Sequence, residues 1–284
     1  MRRIYLAFLA STIFVSAFAQ KPTDQKGNLA PTGIRIDGRI AEWNGLPFTE
    51  NKRTNLDYLL ANDEKNLYLV IKSKESASTT KIMLGGISFN VNTDGKKKDK
   101  DAFSITYPLV KRAGRGAGGF GGGGRGGFGG GQNRTALSTA QRDSAALALH
   151  KTQLETVKEI RVLGFKDIQD TLISIYNEYS IKTVASFDDA GVYTYELSVP
   201  LAQLGLKSGE VKELAFQIKL NGLNAGSFGG GNGGGNGGGR NGGGGFGGGG
   251  RGGNGGGRSG GGSGNFQDLT MATDFWDKYT LAKK

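Results

Sequence analysis

Past its N-terminal stretch the chain is a succession of short apolar runs, interrupted at fairly regular intervals by polar turn residues. Ile34-Arg35-Ile36-Asp37-Gly38 alternates apolar and polar positions and then reaches a glycine, the pattern of a strand edge followed by a turn. Residues 56–61 and 67–71 are β-rich runs around the polar stretch Asn62-Asp63-Glu64-Lys65-Asn66, which predicts a hairpin. Residues 87–91 and 102–107 repeat that arrangement around a polar segment, 92–101. Further strands are predicted over 159–163, 172–176, 180–185, 192–199 and 214–220. The run 192–199 has the β-branched and aromatic density of a well-packed strand. Pro200 ends it, because proline donates nothing to a continuing ladder. One segment breaks this rhythm: residues 135–156 are rich in Ala, Leu, Gln and Lys, with Leu137, Ala140, Leu147 and Leu154 on one helical stripe. The pattern predicts an all-β fold, an antiparallel β-sandwich of jelly-roll type with one inserted helix.

Composition divides the chain by region. It has 284 residues, 52 of them glycine, no cysteine, one histidine and a formal charge of +11. Most of the glycine lies in two tracts, 114–131 and 226–264, which read as disordered low-complexity loops. Residues 1–19 have the form of a cleavable export signal: Arg2 and Arg3, an apolar run too short for a comfortable membrane span, and Ala17-Phe18-Ala19 before Gln20. Residues 20–33, with Pro22 and Pro31, read as a linker into a single domain over 34–284. Much of the excess charge sits in the signal and in tract arginines Arg115, Arg125, Arg240, Arg251 and Arg258, so the remainder is not a basic domain. The expected address is the periplasm, the cell surface or the extracellular medium. Arg-Gly pairs in the tracts, with interspersed Phe120, Phe128, Phe228 and Phe246, would suit RNA in another compartment, but the export signal sends this chain away from nucleic acid. No later segment is apolar enough to span a membrane once the signal is removed.

Several chemistries fall away. Without cysteine there is no disulfide framework, thiolate metal site, cysteine nucleophile or lipid-anchored N-terminal Cys. The lone His150, within the helical segment, argues against a zinc hydrolase. No G-x-S-x-G elbow follows a predicted strand, no complete P-loop occurs, and Asp188-Asp189 reads as turn chemistry before Gly191. The chain is expected not to be an enzyme.

Three stretches carry a family resemblance. Ile36-Asp37-Gly38-Arg39-Ile40-Ala41-Glu42-Trp43 resembles the opening "I-D-G-x-x-x-E-W" of the family 9 carbohydrate-binding modules and their DOMON-like extracellular relatives. Asp63-Glu64-Lys65-Asn66-Leu67-Tyr68-Leu69-Val70-Ile71 is similar to that family's acidic turn leading into an "N-L-Y" strand. Tyr193-Thr194-Tyr195-Glu196-Leu197-Ser198-Val199-Pro200-Leu201, with Leu204-Gly205-Leu206, resembles "Y-x-x-E-x-x-I-P-L-x-x-L-G" near the family's C-terminal end. The resemblance implies a β-sandwich that clamps a sugar ring between aromatic faces, with Trp276, Tyr279 and Trp43 as the candidates. Beside it stands the packing reading, since large aromatics mostly fill cores, and the family's Trp43 counterpart looks structural.

A cation site is the other candidate. Asn90, Asn92, Asp94, Gly95, Asp99 and Asp101 nearly fit the spacing of a calcium loop, in which oxygen ligands alternate and a glycine permits the sharp turn. Asn90 replaces an acid, Asp101 is shorter than the usual Glu, and Lys96, Lys97, Lys98 and Lys100 oppose a divalent cation. The competing reading is a solvated hairpin loop. No other cofactor is implied. The sequence therefore points to an exported, non-enzymatic module that binds a polysaccharide or envelope glycan. Its rival is a structural or adhesive envelope protein whose sandwich is a scaffold for the glycine-rich loops.

Overall fold

The computed structural model describes residues 27–111, 138–223 and 268–283. The expected export signal and both glycine-rich tracts lie outside the described residues, as does Leu137. Two antiparallel sheets face one another. One has five strands in the order β1-β2-β3-β9-β8, formed by Thr49–Asn51, Leu56–Asn62, Asn66–Ser73, Tyr193–Pro200 and Lys182–Phe187 respectively. The other has six in the order β11-β10-β4-β5-β6-β7: Thr273–Thr280, Glu213–Leu220, Ile87–Asn92, Phe103–Tyr107, Glu159–Leu163 and Leu172–Ser174. This is the all-β sandwich that the alternating runs predict.

The core follows from alternation, since successive strand side chains point to opposite faces. Leu60, Leu69, Ile71 and Leu197 from the first sheet meet Phe89, Ile105, Phe216 and Ile218 from the second. Tyr58, Phe216 and Phe275 pack with ring centroids 5.1–6.2 Å apart, closing one end of the core. Leu154 and Val157, where the inserted helix feeds into β6, also enter it. That helix, α2, spans Thr139–Thr156 and starts with a full capping box, Ser138 and Gln141 satisfying each other's backbone N–H groups. It leans on the edge strand β8: His150 stacks on Phe187 at 6.1 Å between ring centres. Burial holds the His150 imidazole below its ordinary pKa.

A second, smaller cluster covers the outer face of the five-stranded sheet. Leu59, Ala61, Tyr68 and Val70 on that face pack against Trp43, with Ile34, Ile36, Ile40, Leu46 and Phe48 around them. Ile34 and Ile36 thus owe their alternation to a lid segment rather than to a strand, for no strand forms over 34–40. Part of the expected linker is pinned as well, Ala30 N donating to Asn62 O at 2.9 Å. A short helix, α1 (Ser76–Gly85), joins β3 to β4 where the sequence shows no clear helical stripe.

Candidate functional site

The three resemblance-bearing stretches meet, and what they build is a latch. Glu196 on β9 points out of the core into the second cluster and is fully buried there. Its Oε1 accepts from Trp43 Nε1 at 2.7 Å, and its Oε2 accepts from Gly38 N at 2.7 Å and Asp37 N at 3.1 Å. Gly38 O in turn accepts from Ser186 Oγ at 2.8 Å and Thr194 Oγ1 at 3.1 Å. Gly38 has φ +85°, and a Cβ there would lie 2.9 Å from Ser186 Oγ, so both backbone and space demand glycine. Trp43 packs beside Tyr68 at 5.5 Å, and Tyr68 donates its hydroxyl to Asp63 Oδ2 at 2.7 Å. Desolvation dominates the Glu196 carboxyl and raises its pKa, against the three donors that favour the anion. At Asp63 burial pulls upward too, but hydrogen bonds from Tyr68, Lys65 N and Asn66 N prevail and its pKa falls.

The aromatic candidates therefore part company. Trp43 is wholly enclosed in the latch. Tyr279 is equally buried and donates its hydroxyl to Asn62 Oδ1 at 2.9 Å. Neither ring turns a face to solvent. Trp276 is different: it is half-buried on the edge strand β11, opposite Gln217, with Lys97 Nζ donating to its carbonyl at 3.3 Å.

Trp276 belongs to the outer face of the six-stranded sheet, where the register lines up two cross-strand rows. One runs Trp276, Gln217, Asn90, Ser104, Leu163. The other runs Asp274, Lys219, Ser88, Thr106, Arg161. Their inward neighbours, among them Phe89, Ile105, Phe216 and Ile218, are core, so alternation sends these side chains outward.

Hydrogen-bond polarity on this face is fixed by one carboxylate. Asp274 can only accept, so Gln217 must aim Nε2 at it, and does so at 2.6 Å. Gln217 Oε1 then faces the opposite way and accepts from Asn90 Nδ2 at 2.5 Å. This leaves Asn90 Oδ1 buried with no donor among the described residues, on a side chain only 8% exposed. Next to it Ser88 and Thr106 share a 2.7 Å hydroxyl contact, and Asn221 Nδ2 donates to Ser88 Oγ at 2.9 Å. These groups floor a hollow of about 340 Å³ whose walls include Asp99, Arg161 and Lys219.

The calcium candidates occupy the lip of the same face. Asn90 Nδ2 lies 3.4 Å from Asp99 Oδ1. Asn92 is consumed in shaping its loop: Oδ1 accepts from Asp94 N and Lys96 N, and Nδ2 donates to Lys98 O and Lys100 O. Asp94 pairs with Lys96 at 3.2 Å, and Asp101 holds a positive φ of 65° at the loop's end. Among the described residues no three acidic or imidazole side chains converge on one point.

Larger grooves of about 590 and 860 Å³ flank the lid segment near Tyr68 and Lys65. The Asp63 carboxylate there is already engaged by Tyr68 and two backbone N–H groups. Gln217, Asp274, Ser88 and Asn221 were not legible as site residues, although Ser88, Asn90, Gln217 and Lys219 sit at every second position of strands that the sequence does predict. That polar alternation on β4 and β10 is the available signal.

No family model matches the sequence. No curated protein matches it either. Among solved structures the chain is similar to a family 9 carbohydrate-binding module from Caldicellulosiruptor kristjanssonii in complex with cellotriose, with 10% identity and a TM-score of 0.33 over 72% of this chain and 80% of that one. The same module in complex with glucose gives 10% identity and a TM-score of 0.33, over 72% and 81% of the two chains.

Proposed function

We propose that the chain is an exported, non-catalytic module that binds a carbohydrate on the outer face of its six-stranded sheet. The observation that carries this reading is the buried amide relay Asp274–Gln217–Asn90, which ends in an acceptor with no donor among the described residues, beside a hydroxyl-lined hollow. A buried acceptor left empty costs about 1–3 kcal/mol, so a ligand hydroxyl that fills it gains that much relative to an apolar group. Amides and hydroxyls held in fixed orientation recognise polyols without having to cleave them. Trp276, on the amide row, supplies the apolar surface that the C–H face of a sugar ring can cover. An export signal over 1–19 would carry such a module to where it meets polysaccharides, which supports the reading.

Depletion from solution by a panel of insoluble and immobilised polysaccharides tests the proposal. Retention on at least one neutral or acidic polysaccharide, reversed by its soluble oligosaccharide, is the expected result. Passage through the whole panel without retention would overturn it.

A further inference from the structure

We infer that the glycan bound on this face is anionic, carrying carboxylate or sulfate groups. This rests on the carbohydrate-binding reading above and narrows its substrate class.

The second cross-strand row has a cation towards either end of its hydroxyl centre. Lys219 pairs with Ser88, Ser88 with Thr106, and Thr106 with Arg161. Three strand intervals put the two cationic Cα atoms on the order of 14 Å apart. Both side chains nevertheless line the one hollow floored by Ser88, Asn90 and Thr106. Among the described residues neither Lys219 nor Arg161 has a carboxylate partner. Two cations nearby do have carboxylate partners. Lys111, beside Arg161, pairs with Glu159 at 3.1 Å, and Lys97 approaches Asp277 at 3.8 Å.

The acids of the face do not answer the two free cations. Asp274 spends Oδ2 on Gln217 and has Arg53 3.9 Å from Oδ1. Asp99 stands at the lip beside Asn90, flanked in its loop by Lys98 and Lys100. A neutral sugar would satisfy Asn90 Oδ1 but leave two cations facing it. An acidic sugar satisfies both: a hydroxyl donates to Asn90 Oδ1, and an anionic group accepts from Lys219 or Arg161 in the charge-assisted bonds that are the stronger class.

Polygalacturonate and its fully methyl-esterified form share a backbone and differ in charge, so they are the probes of choice. Dextran sulfate and dextran form a second pair that separates sulfate from carboxylate recognition. The full chain, with both glycine-rich tracts retained, is compared with Arg161→Gln/Lys219→Gln. A control, Lys151→Gln/Lys207→Gln, removes the same charge from exposed positions on α2 and a distant loop. The expected result is tighter binding to at least one anionic member of a pair. On the order of 10-fold, or about 1.4 kcal/mol, should be lost in the Arg161/Lys219 variant, with little change in the control. Equal binding to charged and uncharged partners would overturn the inference and leave the carbohydrate reading standing, as would equal losses in the two variants. Failure of all four probes and of the neutral panel would remove both.

Discussion

Replacing Glu196 by alanine removes the one acceptor shared by three N–H donors of the lid. Trp43 Nε1 and Gly38 N are buried, and Asp37 N is partly so. A buried donor left unsatisfied costs about 1–3 kcal/mol, and the partly buried one regains some of that from water. Deleting the carboxylate also relieves its own desolvation penalty, which offsets part of the loss. The balance is a destabilisation of about 3 kcal/mol, a large share of the 5–15 kcal/mol typical of a domain. Glu196→Gln keeps the shape, presents an NH₂ group to at least one donor and removes a buried charge, so it should cost only about 1 kcal/mol. Urea unfolding at neutral pH, followed through the buried Trp43 and separately by far-UV circular dichroism, reads both changes. The lid packs as its own cluster on the outer face of the sheet. In Glu196→Ala the Trp43 signal should therefore move to lower urea before the β-sheet signal does. A loss under 1 kcal/mol for alanine, or equal losses for alanine and glutamine, would refute the hydrogen-bond account of the latch.

Other perturbations test the same framework. Because burial raises the folded-state pKa of Glu196, its contribution is fully present below the unfolded value and is lost as pH rises through the folded one; wild type should therefore lose ground to Glu196→Gln as pH increases, and a gain would show that the three donors prevail. Gly38→Ala should cost about 2 kcal/mol or more in chemical unfolding, from left-handed backbone strain plus the contact with Ser186, and a neutral substitution would contradict the lid geometry. Gln217→Glu replaces the donor 2.6 Å from Asp274 with a second carboxylate, so its destabilisation should shrink in acid as one of the pair takes up a proton; a pH-independent effect would contradict the assigned polarity of the relay.

Much of the fold can be read in the residues, and the misses have physical causes. The hairpins around Asn62–Asn66 and 92–101 are announced by apolar runs with polar turns between them, and both form. Residues 34–38 alternate like a strand because Ile34 and Ile36 bury one face, and burial against a sheet leaves the same imprint on sequence as membership of one. β11 escapes the pattern because an edge strand tolerates Asp274, Asp277 and Lys278 among its aromatics. The site was less legible. Trp276 is visible among the alternating acids and aromatics of residues 274–279, but its place on the outer face is set by pairing with Gln217, a residue far away in sequence. Asn90 stands out through calcium-like spacing, whereas its place in the structure is set by Gln217 and Asp274, which no local motif connects to it.

The most direct test of the account is to locate the sugar. Affinity for whichever polysaccharide retains the wild-type chain should be measured for Asn90→Ala and Trp276→Ala on the outer face of the six-stranded sheet. Lys182→Gln and Ser198→Ala, which line the largest groove beside the lid, are measured alongside. The account predicts at least a 10-fold loss for each outer-face variant, corresponding to about 1.4 kcal/mol, and near wild-type affinity for the groove variants. Loss confined to the groove variants, with Asn90→Ala and Trp276→Ala binding normally, would contradict it.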